Sequence, residues 1–123
     1  MTPAILFQVA LGGAIGSVGR YVMTWGIARA CLPGFPLGTV AVNVTGSFAM
    51  GILFVILGRE GRVSPFLLTG VLGGFTTFSA FSLDAFCLWE RGDHAQAALY
   101  VGSSVILSVA ALVAGIALAR GIA

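Results

Sequence analysis

Residues 70–82 read Gly70-Val-Leu-Gly73-Gly74-Phe-Thr76-Thr77-Phe78-Ser79-Ala-Phe81-Ser82, inside a stretch from about Ser64 to Trp89 that carries no charge before Asp84. A stretch of that length crosses a membrane as a helix, which takes about 20 mostly apolar residues. Clustered glycines followed by paired threonines weaken such a helix, so the sequence predicts a break at mid-membrane. A break at that depth survives only where protein or water satisfies the freed backbone groups. Carbonyls freed in this way can coordinate a cation.

The same reading extends along the chain. The first span runs from about Ala4 to Ala28 with Arg20 as its only charge, and Pro33, Gly34 and Pro36 end it. The second, Leu37 to Gly58, and the fourth, Ala95 to Ala119, are uncharged. Short polar loops at residues 59–62 and 90–94 join the spans. Four spans and three loops occupy residues 1–123 as a single transmembrane domain, and the predicted class is all-α membrane protein with a broken third helix.

Composition agrees. The chain is 59% hydrophobic and 8% charged, whereas a soluble domain carries roughly 25% charged residues to face water. Lipid must therefore cover much of its surface. The charges, six arginines against four acids, are scattered. No basic cluster exists to hold a phosphate backbone, which argues against nucleic acid as a partner. The N-terminus has no basic n-region and no cleavage site of the secretory type. Cys31 and Cys87 are too few for a disulfide framework or a metal site and read as small packing residues.

Loop arginines normally set orientation. Arg59, Arg62 and Arg120 fall on one side and Arg29 and Arg91 on the other, so the bias is slight, and such a chain is free to insert both ways up. Four short helices enclose a pore poorly, which makes an oligomer the natural expectation. Gly12 and Gly16, and likewise Gly70 and Gly74, have the small-xxx-small spacing that lets helix backbones approach, between subunits or within one.

Polar groups in hydrocarbon are costly and are functional candidates by default. Arg20 reads either as an interfacial side chain that snorkels or as a positive charge near the mouth of an anion path. Thr39, Asn43 and Ser47 lie four residues apart along one stripe of the second helix, and Tyr100, Ser104 and Ser108 along one stripe of the fourth. Phe78 and Phe81, three apart, project from one face, and ring edges carry the positive end of the aromatic quadrupole. These are amide, hydroxyl and ring-edge donors with an arginine nearby. They favour an anion over a cation. No nucleophile–base pair, ligand cluster or phosphate loop is present, so enzymatic work is not expected.

The stretches Gly13-Ala-Ile-Gly16-Ser-Val-Gly-Arg20-Tyr21, Gly38-Thr39-Val-Ala-Val-Asn43-Val-Thr-Gly46 and Gly73-Gly-Phe-Thr76-Thr77-Phe78-Ser79-Ala-Phe81-Ser82 resemble the Fluc (CrcB) fluoride channel family. The resemblance covers all four spans and implies an antiparallel, dual-topology homodimer in the cell (inner) membrane. It further implies two fluoride pathways that export the ion passively and protect the cell from its toxicity, and a structural sodium ion at the dimer interface. By position, Phe78 and Phe81 match the ring-edge fluoride ligands and Asn43 the pore amide. Tyr100, Ser104 and Ser108 fall on the polar track, and the carbonyls of Gly73 and Thr76 match the sodium ligands. The next step of that track is Leu112, a departure that leaves its far end open.

Two other readings share the four-helix plan. A small multidrug exporter resembles a proton-coupled machine with a carboxylate deep in its first helix, but this first helix has Arg20 and no acid. An assembly subunit without transport would use the polar stripes only as glue.

Overall fold

The computed structural model describes residues 1–30, 34–61 and 64–122. The expectations placed on Cys31, Pro33 and Arg62 lie outside them. Among the described residues all regular structure is helical: α1 (Pro3–Ala30), α2 (Leu37–Arg59), a π-helical segment (Pro65–Leu72), the single turn α3 (Gly73–Phe75), α4 (Ser79–Glu90) and α5 (His94–Ile122). Only helices satisfy every backbone group internally in hydrocarbon without a neighbouring strand. Four stretches, Pro3–Arg29, Leu37–Arg59, Pro65–Glu90 and His94–Ile122, are long and apolar enough to cross a membrane. The third starts one residue later than the sequence suggested because Ser64 is its cap, its Oγ accepting the Leu67 N–H at 3.2 Å, with Pro65 next to it. Proline suits that first position, where its missing N–H would have no helical partner.

The bundle is built from two intimate pairs. α1 lies along the π segment and α3, and α2 lies along α5. Both glycine pairs serve the first contact. A Cβ on Gly12 or Gly16 would overlap the carbonyl oxygen of Phe66 or Val71, and one on Gly74 would stand 2.7 Å from the Gly13 carbonyl oxygen. The small-xxx-small spacing is therefore spent within the subunit, where close backbones gain dispersion contacts that lipid alone does not supply.

The ends match the span count. Arg59 Nη2 donates to the Arg120 carbonyl at 3.5 Å at one end, and Arg91 Nη2 to the Gly34 carbonyl at 2.6 Å at the other. Near the Arg91 end, Val40, Phe81, Leu88, Ala97 and Tyr100 are buried together as a hydrophobic cluster. Outside, Phe7, Leu11, Val18, Val22 and Trp25 of α1 form an exposed apolar stripe suited to lipid. Toward the Arg120 end the interior opens into a groove, and the candidate site lies there.

Candidate functional site

The third span breaks where the sequence predicts. Thr76 is extended (φ −83°, ψ 158°), so α3 stops at Phe75 and α4 restarts at Ser79. In a continuous helix the Thr77 N–H would donate to the Gly73 carbonyl and the Ala80 N–H to the Thr76 carbonyl. Side chains take both donors instead: Thr77 N–H donates to Asn43 Oδ1 at 2.8 Å, and Ala80 N–H to Thr77 Oγ1 at 3.1 Å. Gly73 and Thr76 are among the carbonyls that lose their helical donors here. Asn43 also donates from Nδ2 to the Thr77 carbonyl at 3.0 Å, so one side chain braces the break through both a donor and an acceptor. That bond uses one of the two Nδ2 hydrogens. Arg20 Nε donates to the Gly74 carbonyl at 3.2 Å. Its guanidinium thus sits against the break and not at an end of the span, because a freed carbonyl in an apolar bundle needs a donor.

Beside the break runs a groove of about 470 Å³. α2 contributes Asn43 and Ser47, the break contributes Phe78, α4 contributes Phe81, and α5 contributes Ser104 and Ser108. Gly73, Thr76 and Thr77 form its floor, and Leu112 lies on its wall together with Met50, Val105 and Val109. No charged side chain is in this lining. The rings of Phe78 and Phe81 lie 5.4 Å apart, centre to centre, with their planes inclined at 49°. Phe81 is only 8% exposed, whereas Phe78 is 76% exposed in the single subunit. Ser104 Oγ is the one buried side-chain polar atom without a hydrogen-bond partner among the described residues. An unmade bond at a buried hydroxyl is expensive, so this donor is an aiming point for whatever occupies the groove.

The other expected residues gather elsewhere. Thr39 Oγ1 and Tyr100 Oη both donate to Asp84 Oδ2, at 2.8 and 3.1 Å. Thr39 therefore parts company with Asn43 and Ser47 despite sharing their stripe: it lines a separate cavity of about 190 Å³ with Asp84. Tyr100 is fully buried, with the tilted Phe81 ring 5.2 Å away, centre to centre, and Phe35 in a T-shaped contact at 5.7 Å and 87°. The polar track is thus in two parts, divided by the Phe81–Tyr100 pair. Sequence reasoning used Asp84 only to mark where a span loses its neutrality. The signal it passed over was position: Asp84 follows Phe81 by three residues, on the same helical face, as a lone acid in a span where ionisable groups are functional by default.

Among the described residues no group of three His, Cys, Asp or Glu side chains stands close enough to hold a metal ion. The Gly73 and Thr76 carbonyls released at the break are oxygen donors of the kind that can ligate sodium.

Comparison with known proteins places the chain in a family. Residues 7–116 match the family described as CrcB-like protein, Camphor Resistance (CrcB). A protein from Cereibacter sphaeroides is 60% identical over 117 residues, covering 94% of this chain and 94% of its own. One from Paracoccus denitrificans is 56% identical over 117 residues at the same coverage, and one from a Ruegeria species is 54% identical over 120 residues. All three carry the name Fluoride-specific ion channel FluC. Identity at this level over nearly the whole of both chains, on four apolar spans around a polar groove, shows that the chain belongs to the CrcB-like family: a multi-pass membrane protein of the channel kind, not an enzyme.

Proposed function

We propose that the chain forms an antiparallel, dual-topology homodimer in the cell (inner) membrane and conducts fluoride passively out of the cytoplasm, protecting the cell from fluoride toxicity. Two pathways run through the dimer, each along the groove of a subunit. The observation that carries this reading is the groove itself, uncharged in its lining yet holding an unpartnered, buried Ser104 hydroxyl. Fluoride is small and strongly hydrated, so a pore must replace its water with donors of comparable strength and still let it go. Ser104, Ser108, the second Nδ2 hydrogen of Asn43 and the ring edges of Phe78 and Phe81 are weak donors in series. A guanidinium held directly against the ion would bind it too firmly, and Arg20 is engaged at the break. The relatives' shared name supports the choice of fluoride among small anions.

The dimer rests on two features. Phe78 is largely exposed in one subunit although it belongs to the groove, which suits a second copy as its cover. The near balance of arginines between the two ends suits insertion both ways up. The released carbonyls of Gly73 and Thr76, repeated in a partner, would hold sodium at the interface. Bound there, sodium supplies a fixed positive charge that satisfies carbonyl dipoles. Asn43, Thr77 and Arg20 hold the break in the shape that presents those carbonyls.

Efflux of fluoride from proteoliposomes, followed with a fluoride electrode, tests the reading. Rapid fluoride release with chloride retained is expected. Sealed vesicles that keep both ions would overturn it. Labelling of a C-terminal tag from each side of the membrane tests the topology: both sides should react, and a single reactive side rules out the antiparallel pair.

A further inference from the structure

We propose that Gly34-Phe35-Pro36 is a strap that closes the Asp84 end of the polar track, and that Arg91 is the positioning residue that latches it. The proposal rests on the conduction reading above and adds to it a device at one end of the path. Arg91 Nη2 donates to the Gly34 carbonyl at 2.6 Å, a bond between the loop after α4 and the segment that leads into α2. Gly34 stands at φ +100°, a conformation that costs glycine little and side-chain-bearing residues much, so the direction of its carbonyl depends on its being glycine. The next residue, Phe35, meets Tyr100 in a T-shaped ring contact, and Tyr100 donates to Asp84. One chain of contacts therefore runs from Arg91 through the strap to the carboxylate cluster.

The space around the strap gives this chain of contacts its meaning. Two small cavities, of about 190 and 210 Å³, flank it. Phe35, Pro36 and Asp84 line both; Thr24 and Thr39 also line one, Cys87 and Arg91 the other. Each has room for several waters, whose share of liquid volume is about 30 Å³ apiece. The strap is thus the wall that the two chambers share beside the Asp84 carboxylate. Lifting Phe35 from Tyr100 would join them and widen the access of water and small solutes to the cluster. The latch is suited to reversible work: the Arg91 side chain is 49% exposed and also meets Asp93 at 3.5 Å, so an alternative partner stands beside it when the Gly34 bond opens.

The test reads access to the cluster independently of flux. In full-length reconstituted protein with both native cysteines replaced by serine, Thr39→Cys supplies a buried thiol beneath the strap. Its rate of reaction with a small water-soluble methanethiosulfonate is then measured. Adding Arg91→Ala should raise that rate about tenfold or more, the effect expected for loss of one charge-assisted hydrogen bond. Gly34→Ala should do the same, and Arg91→Lys, which keeps a cationic donor, should bring the rate back to within about threefold of the parent. A control thiol from Ser108→Cys, in the groove beyond Tyr100, should keep its rate in every background. An unchanged Thr39→Cys rate on Arg91→Ala overturns the strap. Equal acceleration at positions 39 and 108 also overturns it, since that reports general loosening. Where Thr39→Cys does not assemble, Thr24→Cys on the same cavity is read in the same way. Fluoride efflux from the parent protein separates the two ideas: efflux with no change in probe rates sinks the strap alone, whereas accelerated probe rates without efflux sink the conduction reading and leave the strap standing.

Discussion

Replacing Asn43 by alanine should do more than remove a donor from the groove; it should let the third span come apart at Thr77. The Asn43 side chain makes two hydrogen bonds there, accepting from the Thr77 N–H at 2.8 Å and donating to the Thr77 carbonyl at 3.0 Å. Without them both backbone groups are left in a part-buried, apolar setting. Each such group costs about 1–3 kcal/mol, and replacement water recovers some of that, so the break should lose about 2–4 kcal/mol. The opened population then rises about 30-fold to 1,000-fold. Hydrogen–deuterium exchange over residues 70–82, measured in nanodiscs, should show the Thr77 amide speeding up within that range. Fluoride flux should fall with it. Asn43→Asp makes an informative contrast: it keeps an acceptor for the Thr77 N–H but sets a negative oxygen against the Thr77 carbonyl and the anion path. Flux should be lost there with a much smaller gain in exchange. If Asn43→Ala leaves Thr77 exchange within about threefold of the parent, the bracing argument is wrong. Full-rate flux in Asn43→Asp would remove the amide from the pathway.

Phe78→Ile and Phe81→Ile should each lower fluoride flux sharply while the proposed dimer still assembles. Stability separates them: Phe81 is buried and its loss should cost about 1–3 kcal/mol, whereas Phe78, 76% exposed in the subunit, should cost the isolated fold little. Full-rate flux in both would reduce the rings to packing. Gly16→Val should sharply reduce recovery of monodisperse protein, because its branched side chain collides with the Val71 carbonyl oxygen; a normal yield would contradict the close approach of α1 and the π segment. Protein prepared without sodium should lose fluoride flux, and an imposed sodium gradient should drive none. Uphill fluoride transport coupled to sodium would refute a purely structural ion.

Length and hydropathy determined the four spans, because a backbone in hydrocarbon has few ways to satisfy its own hydrogen bonds. The break was legible in Gly73, Gly74, Thr76 and Thr77 for a local reason: weak helix formers and short hydroxyl side chains that compete for backbone donors lie together. The arginine split and the donor stripes of α2 and α5 were likewise local patterns. Pairing across the bundle was not. Periodicity placed Thr39, Asn43 and Ser47 on one stripe, yet only the packing of α4 against α2 decided that Asn43 meets Thr77 while Thr39 meets Asp84. The sequence allowed Arg20 to snorkel to the interface or to stand near the mouth of an anion path; the freed Gly74 carbonyl, on a different helix, holds it at the break. The glycine pairs could have joined two subunits, and the crossing of α1 with the π segment used them within one. Hydrophobic periodicity reports which face of a helix turns inward, but a hydrogen bond is a distance between two elements. That distance is set only when tight helix packing fixes each span's rotation and height against its neighbours.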